Sequence, residues 1–238
     1  MFIFKDKFYF SIFFFSILII DVFFKVIIDL IPLRVVTKSL VVGSLLVYFC
    51  MHIKNRTAKD SIFMIMALSF FILGDLLFIF KDFIVFFLLG ILCFTIGKLF
   101  YVFRFSNQND FKLVHLFPVL AFCFIYMFLI LSVIYDNLKE FFIPVLAYLF
   151  IALIVLLFAY LRKSEVDKKS FFIVGIGILF SVIADSIAVL ARFYNNDIFY
   201  SAITVMLFYG TSQYLIVMGI LDEKVIKQNS VLYNDNLL

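Results

Sequence analysis

The chain has no tryptophan, and only three prolines, three cysteines and two histidines among its 238 residues. Each shortage closes off a reading. Cys50, Cys93 and Cys123 stand alone, without Cys-x-x-Cys spacing, so neither a disulfide framework nor a redox pair is expected. An isolated cysteine in an apolar run behaves as a small hydrophobe. His52 and His115 lie far apart in the chain, so no metal site is expected, and nothing calls for a cofactor. Nucleophile elbow, phosphate loop and His-Glu-x-x-His helix are all missing, which leaves acid–base work by carboxylates as the chemistry to look for.

Charge is scarce as well. Charged residues make up 15% of the chain and hydrophobic residues 66%, with a mean hydropathy of +1.19. Packed soluble domains run at about 45–50% apolar and about 25% charged. Composition therefore excludes a soluble domain and defines a polytopic membrane protein. The net charge of +4 is no nucleic-acid signal, because the basic residues sit in short clusters between apolar runs. With tryptophan absent, tyrosine alone can furnish an interfacial aromatic belt, and Tyr48, Tyr160, Tyr194 and Tyr200 stand near span ends.

What the chain does have is runs of about twenty apolar residues, the length a helix needs to cross the hydrocarbon core. The pattern predicts eight spans: 8–30, 36–53, 60–80, 83–105, 112–134, 139–161, 170–192 and 198–221. The first run follows Lys5 and Lys7, yet Asp21, Lys25 and Asp29 stand where a signal-peptide cleavage site would fall, so it reads as a retained span. With the N-terminus inside, inside segments hold thirteen Lys and Arg and outside segments six. That bias predicts both termini on the cytoplasmic side, and an inner-membrane location in a bacterial host. Connecting loops are short, so the expectation is an all-α bundle over residues 1–221 with a polar tail at 222–238 and no extramembrane module.

The polar residues inside these runs carry the functional argument. An intramembrane carboxylate costs roughly 2.5–3.5 kcal/mol on insertion scales, and so signals a partner or a task. Asp75 is the only formal charge in the run 61–80, and Asp185 reaches nearly the same height in span seven, about 20 Å from the cytoplasmic start. Lys38 opens span two from the outer side and shares that layer. Either a buried salt bridge or a catalytic pair in a wet cavity accounts for the grouping. In span seven Gly177, Ser181, Ala184 and Ala188 form a small-residue stripe for close helix approach. Gly90, Phe94, Gly97 and Tyr101 share a face in span four, with Lys98 on its flank, placed either to snorkel to the headgroups or to join the site. Tyr209 and Gln213 are four apart and project together. Asp21, Lys25 and Asp29 read as an interfacial salt-bridge ladder. Ser61 to Asp75 and Ser170 to Asp185 are similar stretches, which hints at two parallel four-helix halves.

In these motifs the chain resembles the YhhN family of eight-span membrane proteins, whose characterised animal members are lysoplasmalogenases. Thr37-Lys38-Ser39-Leu40 is similar to the family's Thr-Lys-Pro-Leu, with Ser for Pro. Gly74-Asp75 matches its Gly-Asp element. Gly90-x3-Phe94-x2-Gly97-Lys98-x2-Tyr101 resembles Gly-x3-Phe-x2-Gly-His-x2-Tyr, with Lys98 in place of the histidine. Ala184-Asp185-Ser186 and Tyr209-x3-Gln213 resemble the Ser-Asp and Tyr-x3-Gln elements. The resemblance implies that Asp75 and Asp185 are catalytic carboxylates, supported by Lys38, Lys98, Tyr101, Tyr209 and Gln213. It implies hydrolysis of the vinyl ether of a lysophospholipid to a fatty aldehyde, with membrane lipids as surroundings. The alternatives from the residues alone are a small-solute or proton-coupled transporter using the same carboxylates, and a structural bundle without turnover. Central Gly or Pro breaks that split a helix, hinted at by Pro144 and Gly175-x-Gly177, would favour the transporter.

Overall fold

In lipid every backbone N–H and C=O has to be paired within the chain, so long apolar runs become helices. The computed structural model describes residues 4–28, 30–53, 58–106 and 113–224. Among them are eight α-helices and no β-strand: α1 Lys7–Phe23, α2 Ile31–His52, α3 Ala58–Ile79, α4 Ile84–Phe105, α5 Leu113–Leu138, α6 Phe142–Leu161, α7 Lys168–Phe193 and α8 Ser201–Leu221. Among the described residues seven stretches are long and apolar enough to cross a bilayer, and the longest, the 45-residue Phe117–Leu161, takes in most of α5 and all of α6. A single 3-10 turn at Lys139–Phe141, with Lys139 at φ 44°, separates those two helices.

Two boundaries differ from the sequence expectation. α2 begins at Ile31, not 36, because Pro32 occupies its first turn, where a missing N–H leaves no bond unmade. Arg34 and Lys38 therefore belong to the body of α2. α5 continues to Leu138, beyond the expected 134, carrying Asp136 and Asn137 in its last turn. α1 is prolonged by a π-helical turn at Phe24–Ile28. α7 runs unbroken through Gly175 and Gly177, and Pro144 lies in the first turn of α6, so neither splits a helix.

Small residues set the tightest contacts. Phe94 lies over Gly74, Phe78 over Gly90 and Phe71 over Gly97, which interlocks α3 with α4 and accounts for the spacing of those glycines. In α7, Gly177, Ser181 and Ala184 are buried, while Ala188 borders an internal cavity. A Cβ on Gly177 would stand 3.1 Å from the Ile216 backbone nitrogen of α8. The helix pairs form a pattern: α3–α4 and α7–α8, α2–α3 and α6–α7, α4–α6 and α2–α8, α1–α2 and α5–α6. Exchanging the first four helices with the last four carries each of these pairs onto its counterpart, while α1–α8 and α5–α7 have no counterpart of like extent. α5 is the most peripheral helix, with Phe117, Phe124 and Phe128 exposed on its outer side.

One face of the bundle is closed by charge. Asp222 pairs with Lys7 at 2.7 Å and Lys169 at 3.3 Å, and Glu223 pairs with Arg104 at 2.6 Å and Arg162 at 3.4 Å. The Lys224 N–H donates to Asp167 at 2.8 Å. Residues 222–224, expected to begin a loose tail, are thus pinned to the ends of α1, α4, α6 and α7; residues 225–238 lie outside the described ones. One further expectation is corrected. Tyr48 is no interfacial belt residue: it is buried between Phe10 and His52, with ring centroids at 3.9 and 4.1 Å. Tyr194 and Tyr200 are exposed, as a belt requires.

Replacing Gly177 by valine should overpack the α7–α8 seam and lower stability by about 1–3 kcal/mol, read from thermal unfolding in detergent. The charged face should respond to acid. The Lys224 N–H holds the Asp167 carboxyl below its ordinary 3.8. At Asp222 burial pushes upward, but hydrogen bonds from Lys7 and Lys169 outweigh it and leave the group lowered. A lowered carboxyl stabilises the fold above its unfolded value and ceases to as pH falls through the folded one. The closure should therefore hold at neutral pH and loosen below about pH 4. Amide exchange in the last turn of α8 should speed up over that range, and an Asp167→Asn/Asp222→Asn variant should lose the acid response.

Candidate functional site

Asp75 projects from α3 about one turn before its end, a position opened by Gly74, over which Phe94 closes. Its carboxylate is 4% exposed. Oδ1 accepts from the Lys38 ammonium of α2 at 3.0 Å, and Oδ2 accepts the Tyr209 hydroxyl of α8 at 2.9 Å. Asp185 of α7 is 6% exposed and is built in the same way. The Lys98 ammonium of α4 donates to its Oδ2 at 2.7 Å, and Tyr148 of α6 donates to its Oδ1. Lys98 also donates to Ser181 at 3.1 Å and lies 5.3 Å from the centroid of the Tyr148 ring. Each carboxylate thus holds one ammonium and one phenol. Each therefore has a charge partner and both of its oxygens engaged.

Asp75, Asp185, Lys38, Tyr148 and Tyr209 all border one cavity of about 1140 Å³. Tyr148 stands in the field of both carboxylates. The cavity exceeds the roughly 300–1,000 Å³ usual for small-molecule sites. Its walls include Leu18, Val41, Phe78, Phe94 and Met206, and its far end is bordered by Lys25, Arg34, Lys81 and Arg192. Those cations come from the ends of α1, α3 and α7 and the start of α2, opposite the face that Asp222 and Glu223 close. Lys25 lies in the field of Lys38, Lys81 and Arg34. Burial, followed by the like charge of Arg192, pulls the Lys81 ammonium below its ordinary value. The turn leading into α8 also borders this end, with Phe199 and Tyr200 both in the left-handed region at φ 51° and 49°.

The remaining expected residues have other tasks. Lys98 is 4% exposed inside the bundle and does not snorkel, because Asp185 offers it a full charge at hydrogen-bond distance. Tyr101 donates to Gln213 at 2.6 Å, tying α4 to α8, and neither borders the cavity. Tyr101 packs on Phe71 at 5.2 Å between centroids, and Phe71 packs edge-on to Tyr209 at 6.5 Å, so the tie supports Tyr209 from below. Tyr209 and Gln213 therefore serve different partners. Asp21 does not form a surface ladder with Lys25: it is buried and accepts the Thr37 hydroxyl at 2.5 Å. Asp29 lies outside the described residues. Among the described residues no group of three or more potential ligands gathers to hold a metal ion.

Sequence reasoning missed Tyr148, Ser181, Asp21 and Arg192 as site residues. A tyrosine in the middle of FIPVLAYLFIALIVLLFAYL is the one signal that points to Tyr148, since a buried phenol needs a partner.

Fold and site together define a helical integral membrane protein whose interior carboxylates are each compensated by a lysine and face a common cavity. The chain belongs to the YhhN family, whose profile matches residues 33–220. No curated protein and no solved structure matches the chain. The family match covers the Lys38, Asp75, Lys98, Tyr148, Asp185 and Tyr209 constellation and leaves Asp21 and Lys25 outside it.

Lys38→Met should destabilise the protein by about 3–5 kcal/mol, because it leaves a buried anion without its cation. Adding Asp75→Asn should recover much of that loss, since Tyr209 can still donate to the amide oxygen. Thermal unfolding of the wild type, both single variants and the double variant tests the coupling; strictly additive losses would show that the two groups do not interact.

Proposed function

We propose that this protein is a membrane-embedded hydrolase that cleaves the vinyl-ether bond of lysoplasmalogen-type lysophospholipids and releases a fatty aldehyde. The observation that carries the reading is the sharing of one cavity by two compensated carboxylates, with apolar walls and cations gathered at one end. An amphiphile with an anionic phosphate and a single hydrocarbon chain suits that division. The phosphate faces Lys25, Arg34, Lys81 and Arg192, the chain lies along the apolar wall, and the glycerol linkage falls between them beside Asp75 and Asp185.

The chemistry follows from the bond. A vinyl ether hydrolyses by protonation at carbon, which gives an oxocarbenium ion that water captures. Two anionic carboxylates serve the later part of that sequence: one takes a proton from the attacking water and both lower the energy of the cation. Glycosidases use carboxylates on an oxocarbenium-like transition state in a comparable way. Lys38 and Lys98 are the charge partners of the two carboxylates, while Tyr209 and Tyr148 fix their orientation. Lys98 in place of the family histidine supplies a permanent charge partner to Asp185 and is not a proton shuttle in this scheme.

The same reading takes α5 and α6 as separate crossings, which makes eight. Residues 1–221 then form one membrane domain, with both termini on the cytoplasmic side of the inner membrane if the host is bacterial. The meeting of the start of α1 with the end of α8 on one face supports an even number, and the excess of basic residues on that face supports its cytoplasmic side.

Purified protein in detergent, given a lysoplasmenyl phospholipid, should release fatty aldehyde. Asp75→Asn and Asp185→Asn should each lower that release by about 100-fold or more, the range for loss of a positioned acid–base group. Absence of aldehyde from the folded wild type would overturn the reading, and solute accumulation by proteoliposomes would replace it with transport.

A further inference from the structure

Asp21 is the carboxyl group for which the scheme so far has no use. It borders the same cavity, is 1% exposed, and its Oδ2 has no hydrogen-bond partner. Oδ1 accepts only the neutral Thr37 hydroxyl. Among the described residues no cation forms an ion pair with it, although Lys25, Arg34, Lys38 and Asp75 all stand in its neighbourhood. α8, which packs on this part of α1 through Gly210 against Leu18, carries no charged side chain along its length.

An anion buried with one neutral hydrogen bond is costly, while the neutral acid has an O–H to offer and one oxygen to accept with. The contrast with its neighbours decides the assignment. Asp75 and Asp185 each have an ammonium and a phenol; Asp21 has neither. Two groups are built to be anions and one to be an acid, and environments that drive carboxyl groups apart in this way divide their roles.

We infer that Asp21 is the proton donor of the vinyl-ether hydrolysis proposed above, an inference that rests on that reading. The proton on Oδ2 passes to the alkenyl carbon β to the ether oxygen. The C=C electron pair forms the new C–H bond, which leaves an oxocarbenium ion at the α carbon and a carboxylate at Asp21. Water bonds to the α carbon and gives its proton to Asp75, yielding a hemiacetal. The bond from that carbon to the glycerol oxygen then breaks with its electron pair, and the departing oxygen takes the proton from Asp75. The hemiacetal hydroxyl returns a proton to Asp21 as the aldehyde forms. One water is consumed, and both carboxyl groups end as they began. Thr37 and Lys38 are consecutive, so one turn of α2 orients the acid through a hydroxyl and the base through an ammonium.

The test uses the full chain in detergent with the lysoplasmenyl lipid. Asp21→Asn should lower the turnover rate by about 100-fold with little change in KM, whereas Asp21→Glu, which keeps a carboxylic acid, should recover part of it. Wild-type activity should fall on the alkaline side as the acid ionises. Thr37→Val should move that limb to higher pH, because it removes a hydrogen bond that favours the anion. A merely structural Asp21 would not move the limb. Folded Asp21→Asn with activity within threefold of wild type would overturn the assignment while leaving the hydrolase intact. So would an alkaline limb unmoved in Thr37→Val, a result available even if Asp21→Asn does not fold. A wild type that releases no aldehyde would fail at the earlier step, and the assignment would fall with it.

Discussion

The structure depends on keeping the middle of the bundle electrically neutral. An isolated carboxylate there would cost several kilocalories per mole after relaxation. The chain meets the constraint with two lysines from different helices, Lys38 at 3.0 Å from Asp75 and Lys98 at 2.7 Å from Asp185. Neither pair is local in sequence. Each locks a helix register, α2 against α3 and α4 against α7, and each fixes the height at which the cavity begins. Breaking a pair would do more than remove a contact, since it would leave a buried charge without its partner.

The two pairs are related in a way that no single residue reveals. Exchanging the halves of the chain maps α3 onto α7, α2 onto α6 and α8 onto α4. Asp75 takes its lysine from α2 and its tyrosine from α8. Asp185 takes its tyrosine from α6 and its lysine from α4. The partners come from corresponding helices, with the lysine and tyrosine swapped between them. The repeated architecture thus holds an asymmetric site, and the asymmetry is continued by Asp21, which is buried in the last turn of α1 where Asp136, in the last turn of α5, is exposed. Acid–base chemistry needs such inequivalence, because two identical carboxyl groups in identical surroundings cannot divide a proton between fixed roles.

How much of this was readable in the sequence depends on the kind of residue. Asp75, Asp185 and Lys38 stood out because a charge in an apolar run is anomalous wherever it points, and counting turns gave them a shared height. The helices themselves followed from run length, and the family from five short motifs in order. Side-chain direction was another matter. In a membrane bundle both the lipid-facing and the core-facing sides are apolar, so hydrophobic periodicity no longer tells inside from outside. That is why Tyr148 went unnoticed in α6 and Lys98 could equally have been a snorkelling residue. Asp21, Lys25 and Asp29 have the spacing of a surface ladder, yet α1 turns Asp21 toward Thr37 and then changes to a π-helical turn before Lys25. The start of α2 was misjudged for a related reason, since a proline in a first helical turn looks from sequence much like a proline in a loop.

The cavity's two ends carry different electrostatics, and the difference bears on what can enter. At the deep end the charges are paired within hydrogen-bond distance and oriented by phenols, so little net field reaches the space between them. At the other end Lys25, Arg34, Lys81 and Arg192 converge, where burial, followed by the like charge of Arg192, pulls the Lys81 ammonium down. Asp82 and Asp197 border the same region and temper the potential without cancelling it. A ligand that is anionic throughout gains at the mouth and loses its hydration deeper in, where no unpaired cation replaces it. A ligand that is apolar throughout gains nothing from the cations. A molecule with its charge confined to one end suits both regions at once, which is the division on which the proposed function rests.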